Sequence, residues 1–103
     1  DRAPIEEQGY EVALECFDDS VMTFIEYANQ ETLRLIPGHS YFLDPNPTGD
    51  KDQKEQRILQ RLKLELVPLL REYLSERLCG TAHNEIAGLA DRIDSRILES
   101  ENK

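Results

Sequence analysis

The chain has no tryptophan, one methionine (Met22) and two cysteines (Cys16 and Cys79) in 103 residues. Two cysteines far apart in sequence fall short of the disulfide framework that holds small secreted domains together. Both stand among apolar residues at helical spacing, which predicts two buried free thiols. Together with His39 and His83 they lack the close paired spacings of a zinc site, so no metal is expected. No apolar run approaches the roughly 20 residues of a membrane-spanning helix, and the N-terminus has no apolar signal segment. Basic residues are few, with 12 Lys and Arg against 21 Asp and Glu, a formal net charge of -9. Such a surface repels phosphate backbones and anionic lipids, because affinity for both comes largely from Lys and Arg. The expectation is a cytoplasmic protein with no nucleic acid or membrane as a direct partner.

Signatures of chemistry are missing as well. No Gly-Lys pair occurs, and the phosphate loop of nucleotide hydrolases ends in one so that amides and a lysine meet the phosphates. Thr48-Gly49-Asp50-Lys51 places an acid where a phosphate would sit, and no dinucleotide fingerprint is present. A G-x-S-x-G elbow around Ser40 requires glycine where Phe42 stands. Adjacent His39 and Ser40 do not by that spacing form a base and nucleophile. No catalytic residue, and no cofactor, is assigned to this chain by itself.

What is present reads as helix. The length suits one domain, and 39% hydrophobic residues suffice for one modest core. The chain opens Asp1-Arg2-Ala3-Pro4 with no initiator methionine, and it is read as a domain excised from a longer protein. Residues 1–9 form a loose polar lead-in. Leu14, Phe17, Val21, Phe24 and Ala28, with Ile25 beside them, then recur at spacings of three and four, the stripe of an amphipathic helix. Asp18, Asp19 and Ser20 are all good N-caps, so one long helix and two shorter ones stay open. Ile36 precedes a proline and is expected to be extended. Residues 44–52, with two prolines and a glycine, read as an exposed loop.

Leu59, Leu62, Leu66, Leu69 and Tyr73 make the strongest helical stripe, flanked by Ile58, Val67, Leu70 and Leu74. Asp50 or Asp52 caps its start. Pro68 inside it predicts a kink or a new helix start, and Gly80 after Cys79 predicts the end. A last helix, capped by Thr81 or Asn84, carries Ile86, Leu89, Ala90, Ile93 and Ile97, and residues 99–103 are a frayed tail. The fold class is all-α, a small bundle of four or five helices.

One loop resists a bland reading. Gly38, His39, Ser40, Tyr41 and Phe42 cluster a flexible backbone, two polar side chains and two aromatics within a short span. The string Leu35-Ile36-Pro37-Gly38-His39-Ser40-Tyr41-Phe42-Leu43 is followed by Leu64-Glu65-Leu66-Val67-Pro68-Leu69-Leu70-Arg71-Glu72-Tyr73-Leu74. In this order the two strings resemble the C-terminal lid of AAA+ ATPases, in the dynein-related branch with McrB-type restriction NTPases and MoxR-like ATPases. The likeness spans roughly residues 20–78. It implies a small helical lid packed on an αβα core that is absent here with its Walker motifs. Nucleotide (ATP or GTP with Mg) would lie between core and lid, inside a ring of subunits that is usually a hexamer. Partners would be that core in cis and the neighbouring subunits. Gly38, His39 and Ser40 would lie near the nucleotide or the core–lid junction, and Tyr41 and Phe42 would anchor the loop. The string holds no sensor arginine, although Arg34 stands just upstream. Against this stands a free-standing acidic helical module that binds other proteins, suggested by the charge and the Leu-rich helix.

Overall fold

Local chemistry explains where several of the helices begin or stop. The computed structural model describes residues 2–46 and 48–102. Asp1, Pro47 and Lys103, read above as parts of lead-in, loop and tail, lie outside the described residues. Among the described residues there is no strand.

Rather than a loose lead-in, Ala3–Gln8 forms helix α1, with Pro4 in its first turn and Ile5 fully buried. Gly9 ends it at φ 79°, its N–H donating to the Glu6 carbonyl at 3.2 Å. Proline at the start and left-handed glycine after the end are a helix signature that outranks the local polarity.

Helix α2 then runs unbroken through Glu11–Tyr27. The three cap-type residues inside it have other partners. Ser20 donates to the Cys16 carbonyl at 2.8 Å, Asp18 accepts from Arg2, and Asp19 accepts from Arg92 and Arg96. Its buried face also differs in phase from the expected stripe. Ala13, Cys16, Phe17, Ser20, Thr23 and Phe24 face the core, Leu14, Val21 and Ala28 are half-buried, and Ile25 is exposed.

Asn29 caps the short α3, Gln30–Leu33, by accepting from the Thr32 N–H at 2.8 Å. After an irregular stretch and a 3-10 turn at His39–Phe42 comes the described part of the 44–52 loop, which is exposed apart from Asp44. Of its two candidate caps, Asp50 starts α4, Lys51–Arg61, through a reciprocal capping box with Gln53.

Pro68 is handled by a widened turn. Leu62–Leu66 is π-helical, and the Val67 N–H donates five residues back to the Leu62 carbonyl. Helix α5, Val67–Ser75, therefore restarts with Pro68 in its first turn, where a missing N–H costs least. The helix does not continue to Cys79 and Gly80. It stops at Ser75 because Arg77 turns left-handed at φ 57°, with Arg77 N–H to Leu74 O at 3.1 Å and Leu78 N–H to Tyr73 O at 2.9 Å.

A 3-10 turn at Gly80–Ala82 leads into α6, His83–Glu101, whose N-cap is Ala82, with neither Thr81 nor Asn84 serving. Its full stripe of Ile86, Leu89, Ala90, Ile93 and Ile97 is buried, as the spacing requires. The expected frayed tail stays helical to Glu101, where Lys63 pairs with that carboxylate at 2.9 Å. Helix α6 packs against both α2 and α5, and the buried side chains of all these elements form one core. The result is an all-α bundle with a radius of gyration of 13.5 Å, close to the roughly 13 Å of a compact chain this long.

Candidate functional site

The turn singled out in the sequence is built by its flanks. Beyond α3 the chain unwinds through Leu35 N–H to Thr32 O (2.9 Å) and Ile36 N–H to Leu33 O (3.2 Å). Pro37 is buried, Gly38 is extended at φ −67° and ψ 159°, and His39 opens the 3-10 turn. The Tyr41 N–H closes that turn onto the Gly38 carbonyl at 3.3 Å. Gly38, His39 and Ser40 are thereby brought together and all three are exposed. Neither the imidazole of His39 nor the hydroxyl of Ser40 has a hydrogen-bond partner among the described residues. What the turn offers chemically is two polar side chains free to meet an outside group.

Behind it, the two aromatics root the loop. Phe42 is fully buried and meets Phe17 edge-on, with centroids 5.3 Å apart and planes at 81°. Such a pair adds about 0.5–1.5 kcal/mol beyond area burial. Tyr41 is half-buried, and the Arg61 guanidinium lies 5.7 Å from its ring centroid, within cation–π range. The Arg61 Nε is buried without a hydrogen-bond partner.

Two side chains that the sequence reading did not single out fasten the far end. Gln8 donates through Nε2 to the Phe42 carbonyl at 2.5 Å and accepts through Oε1 from the Asp44 N–H at 3.3 Å. Arg57 grips Asp44 with two parallel bonds of 2.9 and 2.8 Å and also donates to the carbonyls of Asn46 and Thr48. Hydrogen bonding from Arg57 holds the Asp44 carboxyl below its ordinary range. No periodicity reveals Gln8, since its partners lie more than thirty residues away. Arg57 left a faint trace, a basic residue one turn beyond a capping box.

The other candidates are distributed elsewhere. Arg34 is exposed just past α3, its Nε donating to the Glu31 carbonyl at 3.2 Å. Cys16 and Cys79 are both buried free thiols, and burial pushes the Cys16 thiol up to about 11. Among the described residues no group of three or more His, Cys, Asp or Glu side chains is placed to hold a metal ion. None of their helices is long and apolar enough to cross a membrane. In comparison with known proteins, the chain matches no family model, no curated protein and no solved structure.

Proposed function

We propose that this chain is the lid of an AAA+ NTPase, a non-catalytic cytoplasmic module that closes over nucleotide held by a separate core. In this reading, Gly38, His39 and Ser40 meet the nucleotide or the core–lid junction. Closure then relays hydrolysis to neighbouring subunits of an oligomer. The observation that supports it is the division of labour in the resembling string. Gly38, His39 and Ser40 are exposed, with two side chains unpartnered among the described residues, and the next two residues, Tyr41 and Phe42, are fixed on the bundle. A turn so rooted can present an imidazole and a hydroxyl at a fixed place without contributing to the core. The residues fit the edge of a bound nucleotide rather than a phosphate cradle, since the turn holds no lysine and no glycine-rich loop. ATP or GTP with Mg would be bound chiefly by the core, which would supply the hydrolytic chemistry.

The test begins with the complete reading frame, which should encode a phosphate loop roughly 150–250 residues upstream, a typical domain length or somewhat more. In that full-length protein, His39→Ala with Ser40→Ala should lower nucleotide turnover about tenfold, a change of roughly 1.4 kcal/mol, without altering the melting temperature. A frame with no phosphate loop, or undiminished turnover in the double variant, overturns the proposal. The free-standing interaction module is favoured by one observation, the 65% and 67% exposure of Met22 and Ile25 on α2. It predicts partner binding that is indifferent to nucleotide.

A further inference from the structure

The solvent face of α2 changes character along its length. Its first turns expose Glu11 and Glu15, whereas its later turns expose Met22 and Ile25, three residues apart and so neighbours on one face. Beside Met22 a groove of about 330 Å³ runs between α2 and α6. Thr23, Glu26 and Tyr27 line it from one helix, and Glu85, Gly88 and Arg92 from the other. Gly88 leaves its floor low, since even a Cβ there would come within 3.2 Å of the Arg92 guanidinium.

The charges in this groove do not balance. Arg92 is taken by Asp19, at 2.9 and 2.8 Å, and Arg96 reaches the same carboxylate. Glu26 and Glu85 are left with no cationic partner among the described residues. One carboxylate oxygen of Glu85 is buried with no hydrogen-bond donor, an arrangement that is costly unless a donor arrives from outside. An apolar ridge beside two uncompensated acids matches the face of an amphipathic helix that carries Lys or Arg next to its apolar row. A second copy of this chain is a poor occupant, because it brings the same acids and a net charge of -9.

We infer that the α2–α6 groove beside Met22 docks a basic amphipathic helix of a partner protein. The apolar row of that helix covers Met22 and Ile25, and its Lys or Arg enters the groove to meet Glu85 and Glu26. None of this rests on the lid reading, since it uses neither the Gly38 turn nor any nucleotide.

A displayed library of helical peptides tests it, with an apolar i, i+4 pair held constant and the flanking positions randomised. The expected survivors carry Lys or Arg beside the apolar pair. They should bind Met22→Glu and Ile25→Ser at least about tenfold more weakly than the parent. Glu85→Gln should weaken binding and flatten its salt dependence. Met22 and Ile25 are exposed, so circular dichroism should find these variants folded, and Glu85→Gln gives a second, near-isosteric readout. Four results would each overturn the inference. They are survivors without basic residues, survivors bound equally well by Met22→Glu and Glu85→Gln, no survivors at all, and self-association of the chain at micromolar concentration by light scattering.

Discussion

Arg77 holds a backbone conformation that its side chain disfavours. At φ 57° it occupies the left-handed region, which costs an L-residue with a Cβ roughly 1–2 kcal/mol. It stays there because the turn satisfies two carbonyls at the end of α5, those of Leu74 and Tyr73. Among the described residues nothing pairs with the Arg77 side chain, and it is exposed. Arg77→Gly should therefore raise stability by about 0.5–1 kcal/mol, the relief of strain less the added freedom of the unfolded chain. Urea melts would read this as a higher midpoint at unchanged slope, and a lower midpoint would contradict it. The cysteines give a second test at this scale. Both are fully buried and free, and burial raises both thiols. Thiolate reagents should label neither in the native protein and both in concentrated guanidinium; fast native labelling of Cys16 would contradict the packing. Burial of both thiols was legible from their apolar, helically spaced neighbours. The role of Gln8 was not, because a polar side chain that bonds backbone groups of Phe42 and Asp44 leaves no periodic signal.

Among the elements, α6 was the most legible and α1 the least. The five residues of the α6 stripe are all buried, so spacing alone identified its buried side. In α2 the spacing found the helix and a stripe that packs on the core, with Phe17 and Phe24 buried and Leu14, Val21 and Ala28 half-buried against it. It missed that the small Ala13, Cys16 and Ser20 are buried there, while the large Ile25 is exposed. Helix α1 was masked by charge, although Pro4 and Gly9 bracketed it. Gly38, His39 and Ser40 lie exposed in one turn, and Arg57 and Arg61 behind it came only from the fold. Pro68 was correctly read as a disturbance, while the form it takes, a π turn at Leu62–Leu66, depends on packing. A return to regular α geometry would shift the register by one residue and rotate everything beyond by about 100°. Val67 and Leu70 would then leave the core, at about 1.5–3 kcal/mol for each large apolar side chain exposed. Packing, not the proline, should therefore preserve the turn. Pro68→Ala is expected to keep it and to lose only about 0.4–1 kcal/mol through a freer unfolded chain. Backbone chemical shifts across residues 62–66 check this, and regular α shifts in the variant would assign the turn to Pro68 instead.

Across the whole molecule, two carboxylates join segments distant in sequence. Asp19 ties α2 to α6 through Arg92 and Arg96, and Asp44 ties the end of the Phe42 loop to α4 through Arg57. Burial alone would raise the Asp19 carboxyl, but the two arginines outweigh it and the net shift is downward from 3.8. Asp44 is lowered from the same 3.8, first by its hydrogen bonds from Arg57. A carboxyl whose folded pKa is depressed adds stability that is present in full above its unfolded value. That contribution is lost as pH falls through the folded value. Both clasps should therefore hold at pH 7 and each release below 3.8, as pH falls through its own folded value, while the remaining acids neutralise and 12 basic residues begin to repel one another. At pH 7, Asp19→Asn should cost about 1–2 kcal/mol, since its partners are partly exposed and water screens part of the attraction. Asp44→Asn should destabilise in the same direction. Each variant should converge on the parent as pH drops below 3.8, and the double variant should have the flattest stability profile across that window. Chemical denaturation at closely spaced pH values measures the profile. If all three variants keep the parent's slope below that point, acid unfolding is driven by the general charge of the surface and not by these two clasps.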